Sequence, residues 1–153
     1  MADEPAFELL YEVSVDLEPP QQIGDTGRGT RIIFPLKGGR FEGPRLQGRV
    51  LPGGGDWVLV RADGTGEIDA RATLETHDGA LLYITYRGYI TQVPEVMPRW
   101  LAGEAIPREE HYFATTLRFE TSAPQCAWLM QTVCIGQGSL VSRGARYRVF
   151  AVR

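Results

Sequence analysis

Polar and apolar residues alternate without a break along Glu67-Ile68-Asp69-Ala70-Arg71-Ala72-Thr73-Leu74-Glu75. A repeat of two residues is typical of a β-strand, in which successive side chains point to opposite faces of the sheet. The polar side chains of this stretch therefore share one face, with neighbours about 7 Å apart. The stretch predicts a strand whose polar face carries Asp69, Arg71 and Glu75, and this face is the first candidate for a site.

Turn signals lie on both sides of this strand. Asp63-Gly64 precedes it and His77-Asp78-Gly79 follows it, and sequences of this kind connect antiparallel strands. Residues 56–61 before the first turn and residues 81–90 after the second are rich in aliphatic and aromatic side chains. The sequence thus predicts three consecutive antiparallel strands.

The rest of the chain predicts further short strands separated by turns that contain Gly or Pro. These strands cover residues 7–17, 31–36, 40–41, 46–51, 112–121, 127–135 and 146–152. Residues 93–106 are the helix candidate, or a flap, and Pro94 and Pro98 keep it short. About eight to ten strands predict an all-β fold, either an antiparallel β-barrel or a sandwich. We favour the barrel because closure removes exposed strand edges.

Composition indicates one ordinary globular domain. Of the 153 residues, 43% are hydrophobic and 23% are charged, and the 18 glycines predict many tight turns. We expect residues 6–153 to form a single β-barrel domain and residues 1–5 to be mobile.

Charge and hydropathy narrow the classes of partner. A net charge of −3 with a single lysine, Lys37, provides no basic surface for nucleic acid. No apolar run approaches the roughly 18 residues of a membrane span, and the start Met-Ala-Asp-Glu-Pro is acidic where a signal peptide is basic. We therefore expect a cytoplasmic protein with no nucleic acid and no membrane as partner.

Cys126 and Cys134 lie about 26 Å apart on one predicted strand, too far to pair, and are expected to be buried thiols.

Spaced glycines and charged residues form a pattern through most of the chain. The pattern comprises Gly24, Gly29-x-Arg31, Gly38-Gly39-x-Phe41-x-Gly43-Pro44, Gly48, Pro52-Gly53-Gly54-x-Asp56-Trp57, Asp63-Gly64, Asp69-Ala70-Arg71, Asp78-Gly79, Tyr112-Phe113, Phe119-x-Thr121 and Trp128-Leu129. On these residues the chain resembles the domain-of-unknown-function family 3237, also called uncharacterised protein family 0311. The resemblance implies a lipocalin-like (calycin-type) β-barrel and does not specify an activity.

Two positions depart from the pattern of that family. The family tends to have an aromatic residue after the Arg of its Asp-x-Arg motif, where this chain has Ala72. It also tends to have Asn where this chain has Met130. If these positions line the cavity of the family, the pocket of this protein is roomier and less polar at two points.

The polar face of residues 67–75 has two interpretations. In one, it is a solvated outer face, and Ile68, Ala70 and Leu74 point into the barrel. In the other, it points inward at the barrel mouth, where Arg71 holds a carboxylate or enolate oxygen and a carboxylate such as Glu75 moves a proton. The resemblance favours the second, because Asp69 and Arg71 belong to the shared motif. Both orientations stay open at this point.

Asp56 and Trp57 follow a triple-glycine turn at the start of a predicted strand. Asp56 either caps this turn by binding backbone N–H groups while Trp57 packs in the core, or acts as a general base. In the second case apolar neighbours such as Trp57 and Trp128 raise the pKa of Asp56.

The aromatic residues also allow two interpretations. Each of Tyr83, Tyr86, Tyr112 and Trp128 either packs in the barrel wall or helps to line a pocket for an aromatic ligand. Arg31 either contributes to such a pocket or pairs with Glu120 across the barrel. The full set of candidate substrate-binding residues is Arg31, Trp57, Asp69, Tyr83, Tyr86, Tyr112 and Trp128.

Motifs for metals, phosphates and nucleophilic catalysis do not occur in the sequence. His77 and His111 are the two histidines, too few for a His-based metal site, and no nucleophile elbow, phosphate loop or dinucleotide fingerprint is present. We expect no metal and no cofactor.

The remaining patterns favour a barrel that binds a small organic molecule, aromatic or polyketide-like. One hypothesis is a cofactor-independent isomerase, cyclase or lyase with Asp56, Arg71 and Glu75 as catalytic residues. The alternative is a non-catalytic binding or carrier protein, and a barrel filled by its own side chains is a third. A homodimer is compatible with a barrel of this size.

Overall fold

The computed structural model describes residues 3–153. The strands are β1 (Phe7–Leu17), β2 (Gln21–Asp25), β3 (Thr30–Glu42), β4 (Gln47–Val50), β5 (Gly55–Val60), β6 (Gly66–Thr76), β7 (Leu81–Ile90), β8 (Phe113–Glu120), β9 (Cys134–Val141) and β10 (Gly144–Val152). One α-helix, α1 (Val93–Leu101), lies between β7 and β8, and 3₁₀ turns cover Arg108–Glu110 and Pro124–Gln131. In these residues no helix is both long enough and apolar enough to cross a membrane.

The strands form a closed antiparallel β-barrel, as predicted. The order around the sheet is β1-β10-β9-β8-β7-β6-β4-β3-β2, with β5 between β3 and β6, and pairing of β1 with β3 closes the barrel. The predicted succession of three antiparallel strands is β5, β6 and β7. Long strand β3 makes closure feasible because its first half pairs with β2 and β5 and its second half with β1 and β4.

Two glycines of the sequence pattern lie where neighbouring strands approach closely. A Cβ atom at Gly39 would lie 2.1 Å from the carbonyl oxygen of Ser14 in β1. A Cβ atom at Gly48 would lie 2.0 Å from the carbonyl oxygen of Glu75 in β6. Only glycine therefore fits at these two points without a shift of the backbone.

The core fills the barrel interior with residues from alternate positions of the strands. In β6 the inward residues Ile68, Ala70, Ala72 and Leu74 are buried, and the polar residues between them face outward. The same alternation in β7 buries Leu82, Ile84 and Tyr86. Burial of this apolar surface is the main force that stabilises the barrel.

Helix α1 covers one end of the barrel. It begins at Val93, with Pro94 in its first turn. The N–H groups of the first turn have no hydrogen-bond partner within the helix, so proline, which lacks an N–H, is tolerated there. Its buried face carries Val93, Val96, Met97 and Trp100. The indole Nε1 of Trp100 donates hydrogen bonds to the carbonyl oxygens of Val141 at 2.8 Å and Gly144 at 3.0 Å. The helix is thus attached to the turn between β9 and β10.

Several predicted boundaries are corrected by the structure. Strand β2 lies in a segment that the sequence indicates as a loop, and β3 continues through Gly38-Gly39, where the sequence predicts a break. The predicted helix over residues 93–106 ends at Leu101. The prediction of mobile residues 1–5 falls partly on residues 1–2, which lie outside the described part of the chain.

The predicted strand over residues 127–135 is wrong, because most of it belongs to the 3₁₀ turn Pro124–Gln131. Its buried residues Cys126 and Leu129 are three positions apart, which is the period of a 3₁₀ helix. Cys126 therefore lies in this turn and Cys134 begins β9, and both are buried free thiols.

Candidate functional site

The polar face of β6 points away from the barrel interior. Arg71 is exposed to solvent, and Glu75 accepts a hydrogen bond from the Nε of Arg49 at 2.9 Å on the outer surface. The carboxylate of Asp69 lies 3.6 Å from the guanidinium of Arg87. The inward orientation, and with it the placement of Arg71 and Glu75 in an interior catalytic site, is therefore wrong. The cause is that the small residues Ala70 and Ala72 fill the crowded interior.

Asp56 is the candidate catalytic residue that points into the barrel. It alternates with Val58 and Val60, which are both buried on the inner face of β5. Its backbone lies opposite Ala70 of β6, and its Oδ1 accepts a hydrogen bond from the backbone N–H of Asp69 at 3.2 Å. The carboxyl group is thus held by the neighbouring strand while it faces the interior, and it does not merely cap the preceding turn.

A cavity of about 50 Å³ lies beside Asp56 under helix α1. The other residues of its wall are aliphatic or aromatic, namely Val15, Leu17, Phe34, Leu36, Val58, Ile68, Tyr86, Ile90, Met97, Trp100, Phe113, Leu140, Ala145 and Tyr147. Pockets for drug-sized ligands measure about 300–1,000 Å³. The closed cavity is therefore smaller than the ligand-sized hollow that the sequence predicts, and an aromatic substrate requires movement of at least one wall residue.

The environment of Asp56 changes its acidity. The pKa of the Asp56 carboxyl group is raised to about 7, mainly by burial and to a smaller extent by the negative charge of Asp69. The hydrogen bond from the Asp69 backbone opposes this pKa shift. Near neutral pH the carboxyl group is therefore present both as an acid and as a base, which is the property that acid/base catalysis requires.

Two buried tyrosines complete the polar lining of this cavity. The rings of Tyr86 and Tyr147 meet edge to face with centroids 5.6 Å apart, and Phe113 packs against Tyr147 at 5.3 Å. Burial raises the pKa of both phenols, and the charge of Asp56 adds to this effect. Both hydroxyl groups consequently stay protonated at neutral pH and can donate hydrogen bonds to a substrate oxygen.

A second cavity of about 20 Å³ continues the interior beyond Tyr86 and Tyr147. It is lined by Tyr11 and Thr115, whose hydroxyl groups are buried without a hydrogen-bond partner among the described residues. Its volume is enough for about one water molecule. Ala72 lies in its wall, whereas Met130 is exposed and does not line the interior.

The other candidate binding residues predicted from the sequence lie outside the barrel interior. Of the predicted aromatic residues, Tyr86 is the one that lines the interior cavities. Trp57 and Tyr83 are partly exposed, and Trp128 lies under the guanidinium of Arg45 at 3.8 Å from its ring centre. Tyr112 is 59% exposed and shares an outer groove with Asp69. Arg31 donates a hydrogen bond to the carbonyl oxygen of Trp57 at 2.8 Å and does not pair with the exposed Glu120.

Sequence reasoning missed the residues that close the cavity. Tyr147 alternates with Val149 and Ala151 in residues 146–152, so its inward position was readable from that pattern. Phe34, Phe113 and Trp100 come from three separate elements, and only the closed barrel brings them together. No group of three or more His, Cys, Asp or Glu side chains within residues 3–153 is arranged to hold a metal ion.

Comparisons with known proteins agree with this architecture. A UPF0311 protein of Rhodopseudomonas palustris (strain TIE-1) is 36% identical over 130 residues, which cover 85% of each chain. A solved β-barrel-like protein from Acinetobacter baumannii is 37% identical, with a TM-score of 0.86 over 100% of this chain and 99% of its own.

Two more distant similarities involve fungal proteins. PR-toxin biosynthesis cluster protein 7 of Penicillium roqueforti is 26% identical over 163 residues, covering 93% of this chain and 87% of its own. A solved structure described as an enzyme from Penicillium herquei has a TM-score of 0.75 at 20% identity, covering 100% of this chain and 98% of its own, and shows a shared fold.

The sequence pattern of the family described as "Protein of unknown function (DUF3237)" matches residues 5–152, nearly the whole chain. With the relatives above 30% identity, this match shows that the chain belongs to the DUF3237 family.

Proposed function

We propose that this barrel is a cofactor-independent enzyme that moves protons on a small, largely apolar organic substrate. Asp56 is its acid/base residue, and Tyr86 and Tyr147 are the donors that hold a substrate oxygen. The reaction class is isomerisation, cyclisation or elimination, and the substrate class is aromatic or polyketide-like.

The observation that carries this proposal is the position and acidity of Asp56. Its carboxyl group lies in the wall of an interior cavity, and burial raises its pKa to about 7. A carboxyl group in such surroundings destabilises the folded protein when it ionises, and such groups concentrate at functional sites. Nothing in the packing of β5 requires a carboxyl group at this inward position, since Val58 and Val60 occupy the equivalent positions along the strand.

The proposed chemistry needs no oxidant and no external group. The Asp56 carboxylate removes a proton from a C–H or O–H bond of the substrate, and the electron pair moves onto a substrate oxygen held by the tyrosine hydroxyls. The carboxylic acid so formed returns the proton at another atom. The composition of the substrate is unchanged in an isomerisation or ring closure. In an elimination the electron pair forms the new double bond, the leaving group departs with its bonding pair, and the proton from Asp56 neutralises it.

The fungal relatives support a role in small-molecule chemistry. The Penicillium herquei structure is described as an enzyme, and the Penicillium roqueforti protein is named for a toxin biosynthesis cluster. These descriptions concern those proteins, and they support an organic substrate for this one.

A proton-exchange assay tests the proposal and does not require the product to be identified. Candidate enolisable ketones and phenols are incubated with the protein in D₂O, and deuterium incorporation is followed by NMR spectroscopy. We expect exchange or turnover of at least one compound, a loss of at least about 100-fold with Asp56→Asn, and retained ligand binding by that variant.

The matched control is Glu75→Gln, which makes the same carboxylate-to-amide change on the outer face of the adjacent strand. We expect this variant to retain the full exchange rate. Binding without exchange or turnover by the unaltered protein would instead indicate a non-catalytic carrier.

A cytoplasmic location and a homodimer stay predictions, and light scattering during gel filtration measures the latter.

A further inference from the structure

An outer cleft of about 360 Å³ lies at the end of the barrel that helix α1 covers. It is bounded by the link between β1 and β2, by the end of α1 and by the turn between β9 and β10. Its residues are Leu17, Glu18, Pro19, Pro20, Phe34, Trp100, Leu101, Ala102, Gly103 and Arg143. Unlike the interior cavity beside Asp56, this cleft is open to solvent and large enough to hold an organic molecule.

The cleft and the Asp56 cavity share a wall. Leu17, Phe34 and Trp100 line both spaces. Trp100 is the largest of the three, is only 5% exposed, and packs against Phe34 with ring centroids 5.5 Å apart. Displacement of the indole ring would join the two spaces, which would bring Asp56 within reach of a molecule seated in the cleft.

We propose that this outer cleft is the second half of the substrate site and that Trp100 is the gate between the cleft and Asp56. The inference rests on the proposed function, because it assigns the place where the larger part of the same substrate binds. The ligand class is a ring compound with an apolar body and one acidic group, such as a carboxylate or phenolate.

The walls of the cleft define this ligand class. Pro19, Pro20 and Leu101 offer apolar surface to a ring, and Arg143 supplies a cation at the rim. Arg143 forms no ion pair with any acidic side chain of residues 3–153, so its guanidinium is available to a ligand anion. Glu18 also lies in the wall of the cleft, and Arg143 is the cation that this wall offers to an acidic ligand group.

The gate is held by the same turn that carries Arg143. The Nε1 of Trp100 donates to the carbonyl oxygens of Val141 and Gly144, the two residues that flank Ser142 and Arg143. Pro98 in α1 lacks the N–H that would bond to the carbonyl oxygen of Pro94, so one backbone hydrogen bond is missing in the part of the helix that precedes Trp100. A ligand anion at Arg143 therefore lies next to the two hydrogen bonds that keep the gate closed.

Binding of 1-anilinonaphthalene-8-sulfonate, a ring compound with one acidic group, tests the cleft independently of catalysis. In fluorescence titrations of the folded protein we expect Ala102→Trp, which fills the cleft, to abolish binding. We expect Arg143→Gln to weaken binding at least about 5-fold, a loss typical of one charge-assisted contact. The matched controls are Trp57→Phe and Arg40→Gln on the outer barrel wall, and both should bind as the unaltered protein does.

A Trp100→Phe variant tests the gate, because it keeps a ring but removes the indole N–H. We expect substrates that reach Asp56 to turn over with a higher kcat/KM in this variant. We also expect faster hydrogen–deuterium exchange of the backbone amides around the Asp56 cavity. An unchanged rate of backbone amide exchange in this variant would exclude Trp100 as the gate.

Probe binding that is unaffected by both Ala102→Trp and Arg143→Gln would overturn the cleft assignment, even if Asp56→Asn abolishes turnover. Conversely, probe binding with the expected pattern but no proton exchange on any compound would overturn the proposed catalysis and leave the cleft as a binding site. Circular dichroism and melting temperatures of each variant show whether the fold is retained. The two proposals therefore fail through different measurements.

Discussion

The backbone N–H of Asp69 donates a hydrogen bond to the Oδ1 of Asp56 at 3.2 Å, although the two carboxyl groups lie on opposite sides of the barrel wall. Asp56 faces the interior cavity, whereas Asp69 lies 3.6 Å from Arg87 on the outer surface. The hydrogen bond lowers the pKa of Asp56 and the charge of Asp69 raises it, but burial dominates both. The site is therefore a carboxyl group that is fixed in direction and kept only partly ionised at neutral pH.

This arrangement makes stability depend on pH in a defined direction. The folded protein protonates Asp56 near pH 7, and the unfolded chain protonates it near its ordinary pKa of 3.8. Between these values the folded state binds the additional proton, so the free energy of unfolding decreases as pH rises from about 4 to 7. An Asp56→Asn variant lacks this decrease and should exceed the unaltered protein in stability by on the order of 2–4 kcal/mol above pH 8.

Urea denaturation at pH 5 and pH 8 measures this difference. Glu75→Gln is the control, because it makes the same change on the outer surface beside Arg49 and should keep the decrease in stability that Asp56 causes. An equal stability difference between Asp56→Asn and the unaltered protein at both pH values would contradict the raised pKa.

The buried phenols should contribute to the rate and little to folding. Tyr86→Phe and Tyr147→Phe each remove a hydroxyl donor from the cavity and keep the ring contact of 5.6 Å between the two side chains. We expect kcat to fall about 10- to 100-fold in each variant, because a donor to a developing oxyanion acts mainly in the transition state. Tyr83→Phe is the control on the outer face of the same strand, and an equal loss in that variant would contradict the assignment.

A substitution of Arg71 tests whether the outer face of β6 takes part in the function. Its side chain is exposed on the outer surface, away from Asp56 and the cavity. Arg71→Ala should change kcat/KM by less than about 2-fold and stability by less than about 0.5 kcal/mol, as is usual for an exposed position. A loss of activity comparable to that of Asp56→Asn would show that the outer face takes part in the reaction.

The orientation of β6 shows where sequence reasoning stops. The alternation of residues 67–75 predicts the strand and its two faces correctly, because the period of two is a local property. Which face points inward depends on the space that the other strands leave. Ala70 and Ala72 fit a crowded interior, whereas the long Arg71 side chain keeps its charge hydrated on the outer surface.

Asp56 and its neighbours show the same division between local and tertiary information. The triple-glycine turn followed by Asp56-Trp57 marks this carboxylate as a candidate, and only the folded barrel shows that it faces the interior cavity. Trp100 and Phe34 lie 66 positions apart in the chain and meet only through closure of the barrel, so no spacing in the sequence predicts their contact.

Barrel closure depends on Gly39, which pairs with Val15 where β1 meets β3. A Cβ atom at this position would lie 2.1 Å from the carbonyl oxygen of Ser14, so Gly39→Ala forces the two strands apart. We expect a loss of about 2 kcal/mol or more in the free energy of unfolding and faster amide exchange in β1 and β3. Arg40→Ala, at the adjacent exposed position, is the control and should change stability by less than about 0.5 kcal/mol. The glycine here is required by a backbone contact and not by a ligand. Gly39→Ala should therefore lower the melting temperature without altering the pH dependence of stability that Asp56 confers. A selective change in that pH dependence would contradict this account.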